Sequence, residues 1–139
     1  MMHMLKCNWV DANGNWSCIA NDGYTWHPRR VVLLNSFPLN AFSSPVDVKI
    51  YPVNTVSLLD TLSKIPMHDY KCFIGHKPTA DLLTKYLPSI NCIRGMYTYN
   101  GDDLLIAFVL KTRPNTSGVD VNVDVSDLLA YVIVPSPIL

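Results

Sequence analysis

Val31-Val32-Leu33-Leu34-Asn35-Ser36-Phe37-Pro38 is the stretch on which the reading of the fold turns. Four apolar residues follow one another without alternation, and the run then breaks into polar and turn-forming residues. A strand with one face in water alternates apolar and polar positions. A short continuous apolar run is what a strand covered on both faces requires. The segment predicts such a strand, ending at Asn35.

The predictions downstream of this strand follow the same logic. Val46 to Val53, with Val48, Ile50 and Val53, predicts a strand. Asn54 to Ile65 carries Val56, Leu59, Leu62 and Ile65 at helical spacing, with Asn54 or Thr55 as cap and Pro66 as stop. Tyr70 to Ile74 predicts a second buried strand. Thr79 to Leu87 predicts a helix with an apolar stripe (Leu82, Leu83, Tyr86, Leu87), an Asp81–Lys85 pair and a stop at Pro88. Cys92 to Tyr99 and Leu104 to Leu110 read as an antiparallel hairpin about the turn Asn100-Gly101-Asp102-Asp103. Ser126 to Ala130 reads as a helical turn and Tyr131 to Pro135 as a last strand. The expected class is α/β, a mixed β-sheet flanked by helices on at least one face.

Before this core, Met4 to Ala20 reads as a β-hairpin turning at Asn13-Gly14, and Asn21 to Arg30 is rich in turn residues. A hairpin of that size buries no core alone. Residues 1–30 are therefore expected to be an appendage, and residues 31–139 the α/β domain.

The 139 residues suit one domain, and 49% hydrophobic against 16% charged residues is enough apolar material for a packed core. Eleven Lys and Arg balance eleven Asp and Glu, which argues against a protein that tracks long nucleic acid, although a local cationic pocket stays compatible. No run of about 18 apolar residues is present to span a membrane. Met1 to Asn8 lacks the basic-then-apolar order of a signal peptide, so a cytoplasmic, reducing setting is expected. Cys7, Cys18, Cys72 and Cys92 have no zinc-knuckle spacing, so neither a metal nor another cofactor is expected. Cys7 and Cys18 could be joined across the hairpin. Cys72 and Cys92 read as small core residues.

Chemistry concentrates at Ile74-Gly75-His76-Lys77-Pro78-Thr79-Ala80. A strand ends, a glycine allows the turn, and a helix starts with Pro78 at its first position and Lys77 as cap. The amides of Thr79, Ala80 and Asp81 would then be free to meet a phosphate. His76 stands beside them, either as a general acid or base or as a loop histidine satisfying a backbone group. Asn35 is placed to hold a base edge or ribose hydroxyl, or simply to form the turn. Arg94, Lys111 and Arg113 form a phosphate clamp if the sheet brings their strand ends together, and are otherwise solvated charges. His27, Arg29 and Arg30 make a small basic cluster. Trp9, Trp16, Tyr24 and Trp26 could stack on bases or form an apolar patch on the core or on a second subunit.

Three blocks of the sequence resemble the viral type III anti-CRISPR ring nucleases. Leu33-Leu34-Asn35-Ser36-Phe37 is similar to that family's opening strand and Asn-x-Phe turn. Ile74 to Ala80 is similar to its Gly-His-x-x-Thr-Ala signature. Gly101-Asp102, an apolar strand and Arg113-Pro114 are similar to its third block. The blocks occur in the family's order, over about Val31 to Val134. The resemblance implies a homodimer that binds cyclic tetra-adenylate and cleaves it without a metal. It implies a catalytic His76, with Asn35 holding the nucleotide, Arg94 and Arg113 contacting phosphates and Thr79 at the phosphate-binding helix start. Ser36, Gly75, Lys77 and Lys111, read from their places in the sequence, are the further candidates for holding the ligand. The chain departs from the family in three places. Pro114-Asn115-Thr116-Ser117 replaces an acidic residue after Arg113, Ala107 and Phe108 stand where a glutamine is common, and Pro38 stands where a small hydroxyl residue is usual. A protein that sequesters a cyclic or other signalling nucleotide uncut is the alternative.

Overall fold

The structure is a computed structural model that describes residues 5–9, 16–20, 25–26, 30–63, 70–88, 90–93, 95–99, 101, 103–111 and 124–137. In chain order its elements are β1 (Leu5–Trp9), β2 (Trp16–Ala20), β3 (Thr25–Trp26), β4 (Arg30–Leu34), β5 (Val46–Val53), α1 (Thr55–Leu62), β6 (Tyr70–Cys72), α2 (Lys77–Tyr86), β7 (Asp103–Leu110) and β8 (Leu128–Pro137). The expected N-terminal hairpin forms, with β1 antiparallel to β2. It gains a third strand, β3, from the segment read as turns. Its register sets Cys7 opposite Cys18; the side-chain atoms that would join them lie outside what is described.

The remaining strands form one five-stranded mixed sheet in the order β5-β8-β7-β4-β6. β4 pairs in parallel with both β6 and β7, while β8 runs antiparallel to β7 and β5. Val31, Val32 and Leu33 are fully buried, as their unbroken apolar run requires. One face of the sheet carries Val31, Leu33, Leu104, Ile106, Phe108, Ala130 and Val132. Leu58, Leu59 and Leu62 of α1 and Leu82 and Leu83 of α2 pack over these residues. On the other face Val32, Leu34, Leu105, Ala107 and Ile133 lie under Ala41, from a single 3-10 turn (Leu39–Ala41), and under Phe42, Tyr97 and Tyr99, which come from loops. Both helices therefore cover one face. Among the described residues no helix is long and apolar enough to cross a membrane.

Local signals set the element boundaries. The Asn54 side chain accepts a hydrogen bond from the Ser57 amide (2.9 Å), so Asn54 caps α1. The described helix ends at Leu62, whose carbonyl accepts a hydrogen bond from the Tyr70 hydroxyl. Pro66, the expected stop, lies outside the described residues. The buried Thr55 hydroxyl donates to the Leu128 carbonyl (2.9 Å) and fastens the start of α1 to the start of β8.

Three expectations are overturned; one is the helical turn expected over Ser126 to Ala130, which is confined to Val125–Asp127 and gives way to β8 at Leu128. Residues 92, 93 and 95–99 are not a strand and form no hairpin with β7. β7 has β4 on one edge and β8 on the other, so neither edge is open to them. The segment instead touches β6 through a single parallel bridge, Cys72 to Cys92, and then lays Tyr97 and Tyr99 over the second face as covering side chains. Cys72 and Cys92 are not free core thiols either. They form a disulfide, with Cα atoms 4.4 Å apart.

At the amino end of β4 the register sets Arg30 opposite Asp103. The guanidinium donates twice to the carboxylate, Nε to Oδ1 at 2.8 Å and an Nη2 hydrogen to Oδ2 at 2.9 Å, and the Tyr97 hydroxyl donates to the same Oδ2. Hydrogen bonding to Asp103 raises the Arg30 pKa above its ordinary value, against the opposing effect of burial. The pair is unequally buried. The Asp103 side chain is 2% exposed and that of Arg30 31%. Removing the arginine takes the cationic partner away from a buried carboxylate, whereas removing the acid leaves a cation that can turn to water. Arg30→Met is therefore expected to cost about 3–5 kcal/mol in urea unfolding, and Asp103→Asn only about 1–2 kcal/mol. Equal losses for the two variants would contradict this account.

Candidate functional site at the carboxyl edge of the sheet

β4, β6 and β7 run in the same direction, so their carboxyl ends lie on one edge of the sheet. Asn35 follows β4, Gly75 and His76 follow β6, and Lys111 follows β7. β4 stands between the other two strands, so the turn that follows it lies between theirs. In open α/β sheets ligands bind at the carboxyl ends of the strands. Sequence-remote Asn35, His76 and Lys111 are thereby carried to the same edge.

The start of α2 differs from the expectation by one residue. His76, not Lys77, is the N-cap, with extended backbone angles (φ −76°, ψ 107°), and Pro78 sits at the second helical position. Lys77 still adopts helical geometry before a proline, because the first turn closes through the Ala80 amide onto the His76 carbonyl (3.0 Å). Ala80 is therefore not a free donor. Pro78 has no N–H, so the amide of this turn left without a partner inside the helix is that of Thr79. α1 starts at the same edge, but the Asn54 side chain closes its first turn. α2 has no such side-chain cap on its amides.

The His76 side chain turns to the next side chain on its face of the turn. Its Nδ1 lies 2.8 Å from the Thr79 hydroxyl oxygen. Thr79 is 2% exposed and His76 half-buried. This i, i+3 pairing across a first helical turn has the spacing of a capping box and could have been found in the sequence from that spacing. Lys77 extends into solvent, and its Nζ meets Asp81 at 2.9 Å. Asp81 thus pairs with Lys77 rather than with the expected Lys85.

Asn35 and Ser36 are exposed and line a cavity of about 290 Å³ on the helix-free face, together with Phe37, Phe73, Met96 and Tyr97. His76 is not part of its wall, but Phe73, three residues earlier on the same segment, is. The rings of Phe73 and Tyr97 are 5.6 Å apart. Tyr97 is a residue the sequence reading missed, since it both walls the cavity and bonds Asp103. Asp103 was missed too, being read as part of a turn. Its signal was a carboxylate directly ahead of a long apolar run, matched by Arg30 directly ahead of another. Arg30 is accordingly no member of a free basic cluster. Lys111 is exposed at the end of β7, where its amide donates to the Asp127 carbonyl (2.9 Å). Arg94 and Arg113 lie outside the described residues.

These features define a mixed α/β protein with a histidine at a helix start on the carboxyl edge of its parallel strands, and a cavity walled by Phe37, Phe73 and Tyr97 beside Asn35. No family model matches the chain, and no curated protein matches it. Among solved structures the fold is similar to that of a viral protein, B116 of Sulfolobus turreted icosahedral virus. The TM-score is 0.56 at 16% identity, covering 76% of this chain and 98% of B116.

The disulfide encloses His76 and all of α2 within the loop between Cys72 and Cys92. Closing a loop of that size restricts the unfolded chain and stabilises the folded one by about 3 kcal/mol. Unfolding of the oxidised protein is expected to need correspondingly more urea than that of the Cys72→Ser/Cys92→Ser variant. Coincident unfolding curves would show that the bond contributes nothing.

Proposed function

We propose that this protein binds a cyclic oligonucleotide at the carboxyl edge of the sheet and cleaves it without a metal, with cyclic tetra-adenylate as the first ligand to test. The observation that carries the reading is His76 itself. It is the residue at which a parallel strand passes into a helix whose first amides have no side-chain cap. Such a turn favours a phosphate, through peptide N–H groups and the positive end of the helix dipole. The resemblance of the Asn35, His76 and Arg113 blocks to the ring nucleases supports the same reading, and a viral structural neighbour is in keeping with it.

The chemistry is a transesterification. A ribose 2′-oxygen attacks the adjacent phosphorus in line and the bond to the 5′-oxygen breaks. The products are a 2′,3′-cyclic phosphate and a 5′-hydroxyl. One proton leaves the 2′-oxygen and one joins the 5′-oxygen, so no water is consumed. Catalysis needs alignment and one group that moves a proton near neutral pH, and an imidazole meets the second need. The Thr79 amide, together with Gly75 and Lys77, would cradle the phosphate. Asn35 and Ser36 would hold the nucleotide, and Arg94, Lys111 and Arg113 would neutralise phosphate charge. A homodimer, acting in the cytoplasm of an infected host, completes the reading. Its purpose there would be to blunt signalling by the cyclic nucleotide.

The absence of a carboxylate from Pro114 to Ser117 favours a second reading, in which the ligand is held uncut. One experiment separates the two. Cyclic di-, tri-, tetra- and hexanucleotides are screened by thermal shift, and the best binder is incubated with protein and then analysed by chromatography. Saturation at a hundred times Kd raises stability by about 2.7 kcal/mol. The nuclease reading expects cleavage that is insensitive to chelator and falls at least about a hundredfold in His76→Ala, with binding retained. Intact ligand released on denaturation of the wild type identifies sequestration. If no cyclic nucleotide raises the melting temperature, both readings are wrong.

A further inference from the structure

The threonines of the two helices do not bond alike. The Thr61 and Thr84 hydroxyls donate to the carbonyl one turn back, Ser57 at 3.0 Å and Ala80 at 2.8 Å, which is the usual arrangement for a helical threonine. Thr79 does not. Its hydroxyl faces Nδ1 of His76, and among the described residues it makes this hydrogen bond and no other. The group is also almost wholly withdrawn from water.

These facts decide the direction of the bond. If Nδ1–H donated to Thr79, the hydroxyl hydrogen would be buried with no acceptor, an arrangement folded proteins avoid. If the hydroxyl donates to Nδ1, its one hydrogen is placed and the ring's lone pair is matched. A neutral imidazole that accepts at Nδ1 carries its proton on Nε2. We propose that Thr79 is a positioning residue that fixes the orientation and tautomer of His76, leaving Nε2–H as the face the ring presents to a ligand. The buried hydroxyl would act as the orienting group that a catalytic histidine needs, through a neutral donor where a carboxylate is more usual. In the resting neutral state Nε2 offers a proton and accepts none until that proton has left. This function of Thr79 rests on the proposed chemistry, but the tautomer itself does not.

The test has two arms for that reason. Long-range proton–nitrogen correlation spectra of protein labelled with ¹⁵N-histidine, with His76 assigned from the His76→Gln spectrum, report which ring nitrogen is protonated at a pH where the ring is neutral. The expected pattern is an unprotonated Nδ1 and a protonated Nε2. In Thr79→Val, which keeps the shape and removes the hydroxyl, the two tautomers should mix. In Thr79→Ser, which keeps the hydroxyl, the wild-type pattern should return. A protonated Nδ1 in the wild type, or an unchanged ring in Thr79→Val, overturns the proposal whatever the protein binds. The second arm applies if a cyclic nucleotide is cleaved. Thr79→Val should then lower kcat about tenfold, the size of one net hydrogen bond in the transition state, with Kd for the ligand unchanged. A loss confined to Kd would place the Thr79 hydroxyl, and not only its amide, in ligand binding and reject the positioning role. Failure to cleave any cyclic nucleotide counts against the proposed function and leaves the nuclear magnetic resonance result to judge the tautomer alone.

Discussion

The exclusion of water from both faces of β4 is the constraint on which the rest of this structure depends. Val31, Val32 and Leu33 are fully buried, and a strand in that condition needs a partner on each edge and a cover on each face. β6 and β7 supply the edges, both in parallel. Parallel neighbours require crossover connections, and the helices in those connections carry the apolar stripes that cover one face. Loop side chains, Tyr97 and Tyr99 among them, cover the other.

The same constraint creates the edge at which the candidate site lies. Strands running one way deliver their chain reversals to one end, so residues far apart in sequence gather there without touching one another along the chain. The opposite end of the strands is closed by the bidentate pair of Arg30 with Asp103 and by the Tyr97 hydroxyl. One end is thus locked by an ion pair and the other ends in turns, an asymmetry that directs attention to the Asn35 and His76 turns. Tyr97 joins the two, since its ring walls the cavity beside Asn35 while its hydroxyl serves the lock.

Much of the candidate site was legible because its signals are local. Gly75-His76-Lys77-Pro78 marks a strand-to-helix turn through the conformational demands of glycine and proline, which operate within a few residues. The cap was misplaced by one position because the bias of a residue before proline against helical geometry is a preference, and here the hydrogen bond from Ala80 to the His76 carbonyl outweighs it. Residues 92–99 were misread for a different reason. Their aromatic and β-branched side chains fit a strand equally well when they serve as a lid, and only the occupancy of the strand edges decides between the two.

The amino-acid sequence by itself determined the elements of the core, the burial of the Val31–Leu34 run and the position of a histidine at a helix start. Each of these is fixed by interactions within one or two turns of chain. The tertiary structure alone decided that β7 pairs with β4 and β8, that Cys72 bonds Cys92, and that the charge ahead of one apolar run meets the charge ahead of another. Those outcomes join groups many residues apart, and an apolar run or a lone charge carries no mark of its partner until the sheet has chosen its order.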